Sequence, residues 1–468
     1  MKIAAPTLLA FVLAFSGCGG TRPPCSASTC EGCCDATGVC RIGTTNDACG
    51  AKGGACAVCT SACMAGACSV TGGMDAGSTM DAGMTCQPST EAPTGRSDLG
   101  GVYDPMSGEL AIFGGDPGVA VNCQSMPGFS EETWLYNPTC NTWRLSSEQG
   151  PSPRNRHATA YDSMRRRMIV FGGRWRMGSS GNYTTYNDTH ALQLGVAGAS
   201  GHTWQELQTL GTRPPALSNS AGVYDPMGDR FIIFGGNTSN NGGTFAPNGK
   251  VYALAFSNNT WSELVPTAGT IPARLFHAVE LDAKRNRLVV FGGGDENAFL
   301  GPFFNDVYTF DLATRVWAPL TLTGTPPVAR IRPAMVADAA RDRLLVFGGH
   351  DDGALGETND LWAIDLAANR WQRVRTGDTL LTQGAGFCDF PSNFTTPDLM
   401  SPERREGVVF VPAGADSFLM FGGRSDCGTV NDVWKLNAAT NTWETLKPAF
   451  AGLSCQRSGK TNCTKLCF

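Results

Sequence analysis

Six times along this chain an apolar run ends in Phe-Gly-Gly, with the glycine pairs at Gly114-Gly115, Gly172-Gly173, Gly235-Gly236, Gly292-Gly293, Gly348-Gly349 and Gly422-Gly423. Each pair is followed by a short strand-like segment and then a Trp: Trp143, Trp204, Trp261, Trp317, Trp371 and Trp443. The pairs are spaced 58, 63, 57, 56 and 74 residues apart. Self-similarity at this period is the signature of a radial or solenoid array, so it sets the fold of most of the protein.

Each unit reads as four strands. The first opens after an Arg and ends in a Tyr-Asp-like turn, as over Arg154–Asp162 and Arg274–Asp282. The second is a continuous apolar run, such as Met168-Ile169-Val170-Phe171, which predicts packing on both faces. The third carries Asn-Asp-Val-Tyr (305–308), Asn-Asp-Leu-Trp (359–362) or Asn-Asp-Val-Trp (431–434), and the fourth carries the Trp. The third-strand aromatic and the Trp are nine apart in five units, the spacing of a tight hairpin. Unit two departs: His190 replaces the aromatic, and an insertion around Gly195–Gly201 precedes Trp204.

Arg-x-x-His (Arg154–His157, Arg274–His277), Phe-Gly-Gly, and Asn-Asp before Tyr or Trp together resemble kelch repeats, in six tandem copies over about three-quarters of the chain. The resemblance implies an all-β, six-bladed β-propeller over residues 92–450, followed by a Cys-containing tail at 451–468. Kelch propellers also occur in copper-radical oxidases and in sialic-acid mutarotases. The oxidase chemistry needs clustered Tyr and His ligands and a further C-terminal domain, and it is disfavoured.

The chain has 468 residues, 42% of them apolar and 16% charged, with a net charge of −5. No Lys/Arg block runs along it, which argues against a nucleic-acid partner. Nineteen cysteines point to an oxidising compartment. The apolar run Ile3–Phe15 after Lys2 is too short to span a membrane and reads as a secretory signal, residues 1–17. Phe15-Ser16-Gly17-Cys18 resembles the lipobox of bacterial lipoproteins, which implies lipidation of Cys18, and Gly19 after it implies the outer membrane.

Residues 25–68 hold ten cysteines and almost no large apolar side chains, so this part of a module over 18–68 needs staples rather than a core. Cys30-x-x-Cys33 and Cys56-x-x-Cys59 have zinc-like spacing, but in a secreted chain the reading is disulfides, and no metal or other cofactor is expected. Met-Asp-Ala-Gly occurs twice, at 74–77 and 80–83, in a flexible linker over 69–91. Three pairings are expected: Cys86 with one of Cys455, Cys463 or Cys467; Cys388 with Cys427; and, more weakly, Cys123 with Cys140.

In a four-stranded meander the 2–3 loops and the 4–1 connections leave from one face. All the long variable segments fall there: 116–130, 174–187, 237–249, 294–304, 350–358 and 376–402. The other face has short turns such as Asp104-Pro105-Met106. Long loops on a rigid scaffold are where binding lies. Arg recurs where each first strand begins: Arg96, Arg154, Arg156, Arg213, Arg274, Arg330, Arg332, Arg404 and Arg405. These are the candidate ligand-binding residues, as a ring of guanidiniums that could fork onto carboxylates or acidic sugars. The competing reading is structural, each Arg pairing with an acid. His157 and His277 match the repeat and read as packing residues.

No Gly-x-Ser-x-Gly, His-Glu-x-x-His or P-loop motif occurs. The expectation is therefore a lipid-anchored, monomeric cell-surface protein whose propeller binds a surface glycan or protein without catalysis. The alternatives are a mutarotase-type sugar enzyme and a structural envelope component.

Overall fold

The computed structural model describes Cys86 and residues 89–449, apart from 119–127, 178–180, 196–200, 298–299, 352–354, 382–394 and 426–427, together with seven two-residue strands between Cys33 and Cys68. The chain divides into two compact units, Met1–Met84 and Thr85–Phe468. In the first, Cys33–Cys34 pairs antiparallel with Cys40–Arg41 and parallel with Gly54–Ala55. Both Cys33 and Cys34 are in disulfides.

The second unit is a six-bladed propeller with four-stranded antiparallel blades. Their innermost strands are Gly100–Asp104, Ala158–Asp162, Ala221–Asp225, Ala278–Asp282, Ala334–Asp338 and Val409–Pro412. Neighbouring inner strands touch all the way round, including the last against the first, which closes the ring. Each second strand is buried along its length, save a half-buried first residue in all but the first blade, because a blade covers it on either side. The unit-one sheet is contiguous in sequence, so no strand is borrowed across the seam.

The repeated Phe and Trp are partners, but not within a blade. Each Trp packs on the Phe of the preceding blade: Trp204 on Phe113 at 4.9 Å, Trp261 on Phe171 at 5.2 Å, Trp317 on Phe234 at 5.0 Å, Trp371 on Phe291 at 5.1 Å and Trp443 on Phe347 at 5.4 Å. Trp143 on Phe421, at 4.9 Å, closes the circle. Six such pairs join six blades, each with the tilted or edge-on geometry aromatic rings favour.

The glycine pair serves the same seam. The N–H of each second glycine donates to a carbonyl of the next blade, as Gly115 to Arg154 and Gly423 to Arg96. At Gly172, where φ is +66°, an added Cβ would stand 2.6 Å from the Leu217 carbonyl oxygen. Only glycine admits that backbone at that distance.

On the short-turn face the Asp ending each of the first four inner strands, Asp104, Asp162, Asp225 and Asp282, caps its own turn. Asp162 accepts from the N–H groups of Met164 and Arg165 and from Arg167 Nε, and Asp225 accepts from Met227, Gly228 and Arg230 in the same way. This is the turn chemistry the sequence suggested.

The structure corrects the disulfide pairing. Cys86 is bonded to Cys140, across 54 residues, and not to the C-terminal tail. Cys140 lies in the hairpin between Thr133–Asn137 and Thr142–Leu145, on the short-turn face. The chain before the first blade is therefore stapled to the face opposite the one where the first strand begins, and Cys140 is not left for Cys123. Cys18, Cys123, Cys388, Cys427, Cys455, Cys463 and Cys467 lie outside the described residues.

One inner-strand group makes the fold pH-dependent. Burial pushes the Glu280 carboxyl up to about 7, against backbone hydrogen bonds from Leu281 and Ala337 that pull it down. A carboxyl raised in the folded state binds its proton more tightly there than in the unfolded chain, so stability falls as pH climbs from the ordinary carboxylate range to about 7. Glu280→Gln is expected to be more stable than the parent at pH 8, by roughly 1–3 kcal/mol, and equal to it near pH 4. Thermal unfolding across that range checks this. A Gln variant with the parent's pH profile would refute it.

Candidate functional site

The repeat arginines are built into the blades. Arg96, Arg154, Arg274, Arg330 and Arg405 are at most 1% exposed. Each donates Nε to the carbonyl two residues back and Nη1 to the carbonyl of its own blade's first Phe-Gly-Gly glycine, as Arg154 does to Ser152 and Gly172. Each also pairs with an acid at the third strand: Glu132, Asp188, Asp306, Asp360 and Asp432, at 2.5–2.8 Å. A ligand would have to break these bonds to reach them, so these five are corrected from ligand groups to structural ones.

The third-strand aromatics belong to the same network. Trp134, Trp362 and Trp434 donate their indole N–H to the same acids. In unit two, His190 Nε2 lies 2.9 Å from Asp188 Oδ2 and takes the place of the indole, which explains the departure from the repeat.

Blade three lacks the ion pair altogether. The carbonyl that receives the Gly173 N–H there belongs to Leu217, which is fully buried, and Lys250 occupies the place of the acid. With Leu217 in place of the Arg, no buried guanidinium is left without its acid, and Lys250 turns outward to Glu263 at 2.9 Å. Arg213 is therefore off the ring; it is exposed and donates to the Thr209 carbonyl. Arg404 is also structural, holding the 376–402 insertion through Asp378 at 2.8 Å and Thr395 at 2.7 Å.

Two residues after the Arg position, every blade places one residue in the left-handed region: Asp98, Arg156, Asn219, Phe276, Arg332 and Gly407, with φ from +51° to +65°. They are tied around the axis by backbone hydrogen bonds, Asp98 to Gly407, Arg156 to Asp98, Asn219 to Arg156 and Arg332 to Phe276. With His157, His277 and their neighbours they line a cavity of about 160 Å³ at the channel mouth, on the variable face.

Arg156 donates to Asp98 at 2.9 Å, and Arg332 stands 3.7 Å from the same carboxylate and donates to Glu406 at 2.5 Å. Burial would raise the Asp98 carboxyl, but Arg332 and Arg156 outweigh it and hold it well below the usual carboxylate range. Both guanidiniums also lie over the Phe276 ring, at 5.0 and 4.5 Å. Burial pushes His157 and His277 down to about 3, so both are neutral packing groups at physiological pH, each against the Phe of its neighbouring blade.

Further from the axis, the residue after each glycine pair forms a second ring: Asp116, Arg174, Asn237, Gly294, His350 and Arg424. Arg424 donates to Glu406 at 2.5 Å. His350, Glu357 and Glu406 place ligand-type atoms within 4.8 Å of one another. Arg332 and Arg424 already claim Glu406, and two cations beside the cluster oppose a third, so the arrangement is an ion-pair relay rather than a metal cage.

Of the sequence candidates, the structure brings only Arg156 and Arg332 to the mouth. Sequence reading missed Asp98, Phe276 and Arg174. A signal existed: each stands at a fixed offset from a repeat landmark, two past the Arg position or one past the glycines. It was hidden because the residue type there changes from blade to blade.

Residues 223–388 match the family model described as the KLHDC2/KLHL20/DRC7 Kelch-repeats domain. Host cell factor 2 of Homo sapiens is 28% identical over 261 residues, 52% of this chain and 30% of its own length. Multiple epidermal growth factor-like domains protein 8 of Mus musculus is 28% identical over 275 residues, 56% of this chain and 9% of its own. The chain thus spans less than a third of these curated relatives. Among solved structures, that of YjhT superposes with a TM-score of 0.53 at 16% identity, covering 76% of this chain and 99% of the other. At that identity the likeness shows the fold alone, that of the six-bladed propeller described above.

Proposed function

We propose that this kelch-repeat propeller is a non-catalytic binding module that takes a surface glycan or protein on its variable face, around the channel mouth. One observation carries the reading. At a single backbone position, with one left-handed conformation, the six blades present five different residue types: Asp, Arg, Asn, Phe, Arg and Gly. The structural positions of the repeat hold their residue types; this one does not, and it lines the cavity. A fixed scaffold with varied side chains is how loop-bearing folds build recognition sites.

The full chain, screened against glycan and cell-surface protein arrays, should find a ligand. Arg156→Ala and Arg332→Ala should each weaken it by roughly 1.5–3 kcal/mol, the worth of one charge-assisted hydrogen bond. Binding of an anionic ligand should also weaken with salt, since exposed charges are screened over about 10 Å at 0.1 M. Folded variants that bind as the parent does would refute the reading.

A mutarotase-type reading has one observation in its favour, the His350–Glu357–Glu406 acid/base cluster. Burial lowers the His350 pKa, but Glu357 and Glu406 outweigh it and hold it above the usual imidazole value. Sugar-anomer exchange that survives His350→Gln would dispose of it.

The proposed setting is a cell surface, with Cys18 lipidated and the propeller tethered through the linker. Mass spectrometry of the membrane fraction should then find an acylated peptide beginning at Cys18, and an unmodified start elsewhere would refute the anchor.

A further inference from the structure

Arg174 is a buried cation with no acid. It is 6% exposed, and its Nε is buried without a hydrogen-bond partner. Among the described residues its guanidinium makes one contact, over the Tyr183 ring at 3.8 Å. An uncompensated buried charge is costly, and proteins ordinarily pair it.

Blade six shows what fills this socket. There Arg424 occupies the same place after the glycines, and the backbone bridges it to Glu406, whose carboxylate accepts from Arg424 at 2.5 Å. In blade two the backbone bridges Arg174 to Asn155 in the same way. The acid has become an amide. Asn155 is fully buried and its Oδ1 has no partner either. Next along the chain, Arg156 keeps a buried Nη1 with no partner while its Nε holds Asp98. The charged groups acting on Arg174 are those of the mouth: Arg156, Asp98 and Arg332. Two guanidiniums there, Arg156 and Arg332, already hold Asp98, and Arg332 is shared with Glu406.

We propose that Arg174 and Arg156 form a seat for a carboxylate of the ligand, which supplies at blade two the group that Glu406 supplies at blade six. Two parallel N–H···O bonds from a guanidinium fit a planar carboxylate, and the neighbouring Nη1 gives a further donor. Of the two, Arg156 lines the mouth cavity of about 160 Å³, and Arg174 lies outside that lining. The ligand class is therefore a terminal carboxylate, whether of a uronic acid or of an acidic side chain.

This rests on the binding reading above, and the test separates the two. Glucuronic acid, N-acetylglutamate and the neutral amide of each are titrated into the full chain by calorimetry, with melting temperature as the check on folding. At least one acid should bind and its amide should not; which acid binds identifies the source. Arg174→Gln should lose at least about tenfold in affinity, about 1.4 kcal/mol, without melting earlier than the parent. Asn155→Glu should restore the blade-six pair, raise the melting temperature and abolish binding. The seat is overturned if neither acid binds the parent, if amides bind equally, or if both variants bind as the parent does. If an array ligand still binds both variants unchanged, the carboxylate seat is wrong and the binding module stands.

Discussion

Arg330→Ala is expected to cost about 3–5 kcal/mol of stability, the range for breaking one side of a buried ion pair. Arg330 is fully buried and gives five hydrogen bonds: to the Val328 and Gly348 carbonyls, to Thr358 and to both oxygens of Asp360. Removing it leaves Asp360 desolvated. In the parent, burial raises the Asp360 carboxyl, but Arg330 outweighs it and holds it below the usual value. That stabilisation is present at neutral pH and is lost as pH falls through the depressed pKa. In the variant only the hydrogen bonds from Trp362 and Thr358 still oppose burial, so Asp360 takes up a proton more readily and the deficit should shrink in acid. Denaturant unfolding of both proteins at pH 7 and pH 4 checks this. An undamaged variant at pH 7 would return the repeat arginines to the list of ligand groups. Blade three, with Leu217 and Lys250, already shows that losing both partners together is tolerated.

The second large effect is expected from the disulfide. Replacing Cys86 and Cys140 together by Ser should lower stability by about 4 kcal/mol in the chain-entropy model for a loop of this length, given the separation of 54 residues. Reductant should lower the parent toward the double variant and leave the variant unchanged. The crosslinked segment runs from the short-turn face to the opposite face, where Arg96 begins the first repeat, and it crosses the seam between the last blade and the first. At that seam Asn431 donates to the Pro93 carbonyl at 3.0 Å and Thr429 to Pro117 at 2.6 Å. The double variant should therefore exchange amide protons faster first in blades one and six. Uniform loss across all six blades would show that the bond does not guard the seam.

Much of the candidate site was legible by position but not by role. The arginines stand out because they recur, and recurrence marks what each blade needs: an acid, a glycine carbonyl and an indole or imidazole held together. The ligand-facing positions do not recur in type, so no pattern announced Asp98, Phe276 or Arg174. Arg156 and Arg332 were found because they are arginines beside arginines, and Arg404 and Arg213 were included by the same resemblance although neither reaches the mouth.

The sequence by itself determined the number of blades, their strand order, the turn chemistry at Asp104, Asp162 and Asp225, and the face that carries the long segments. These follow from local terms: apolar runs of strand length, turn residues between them, and a period that needs neighbours to bury each sheet. Only the tertiary structure decided which neighbour each group meets. Trp143 finds Phe421 nearly three hundred residues away because the ring closes. Cys86 finds Cys140 because the chain ahead of blade one is held on the short-turn face. Arg424 has Glu406 while Arg174 has Asn155, a difference of one side chain that becomes an uncompensated charge only once burial removes the water that would otherwise have solvated it.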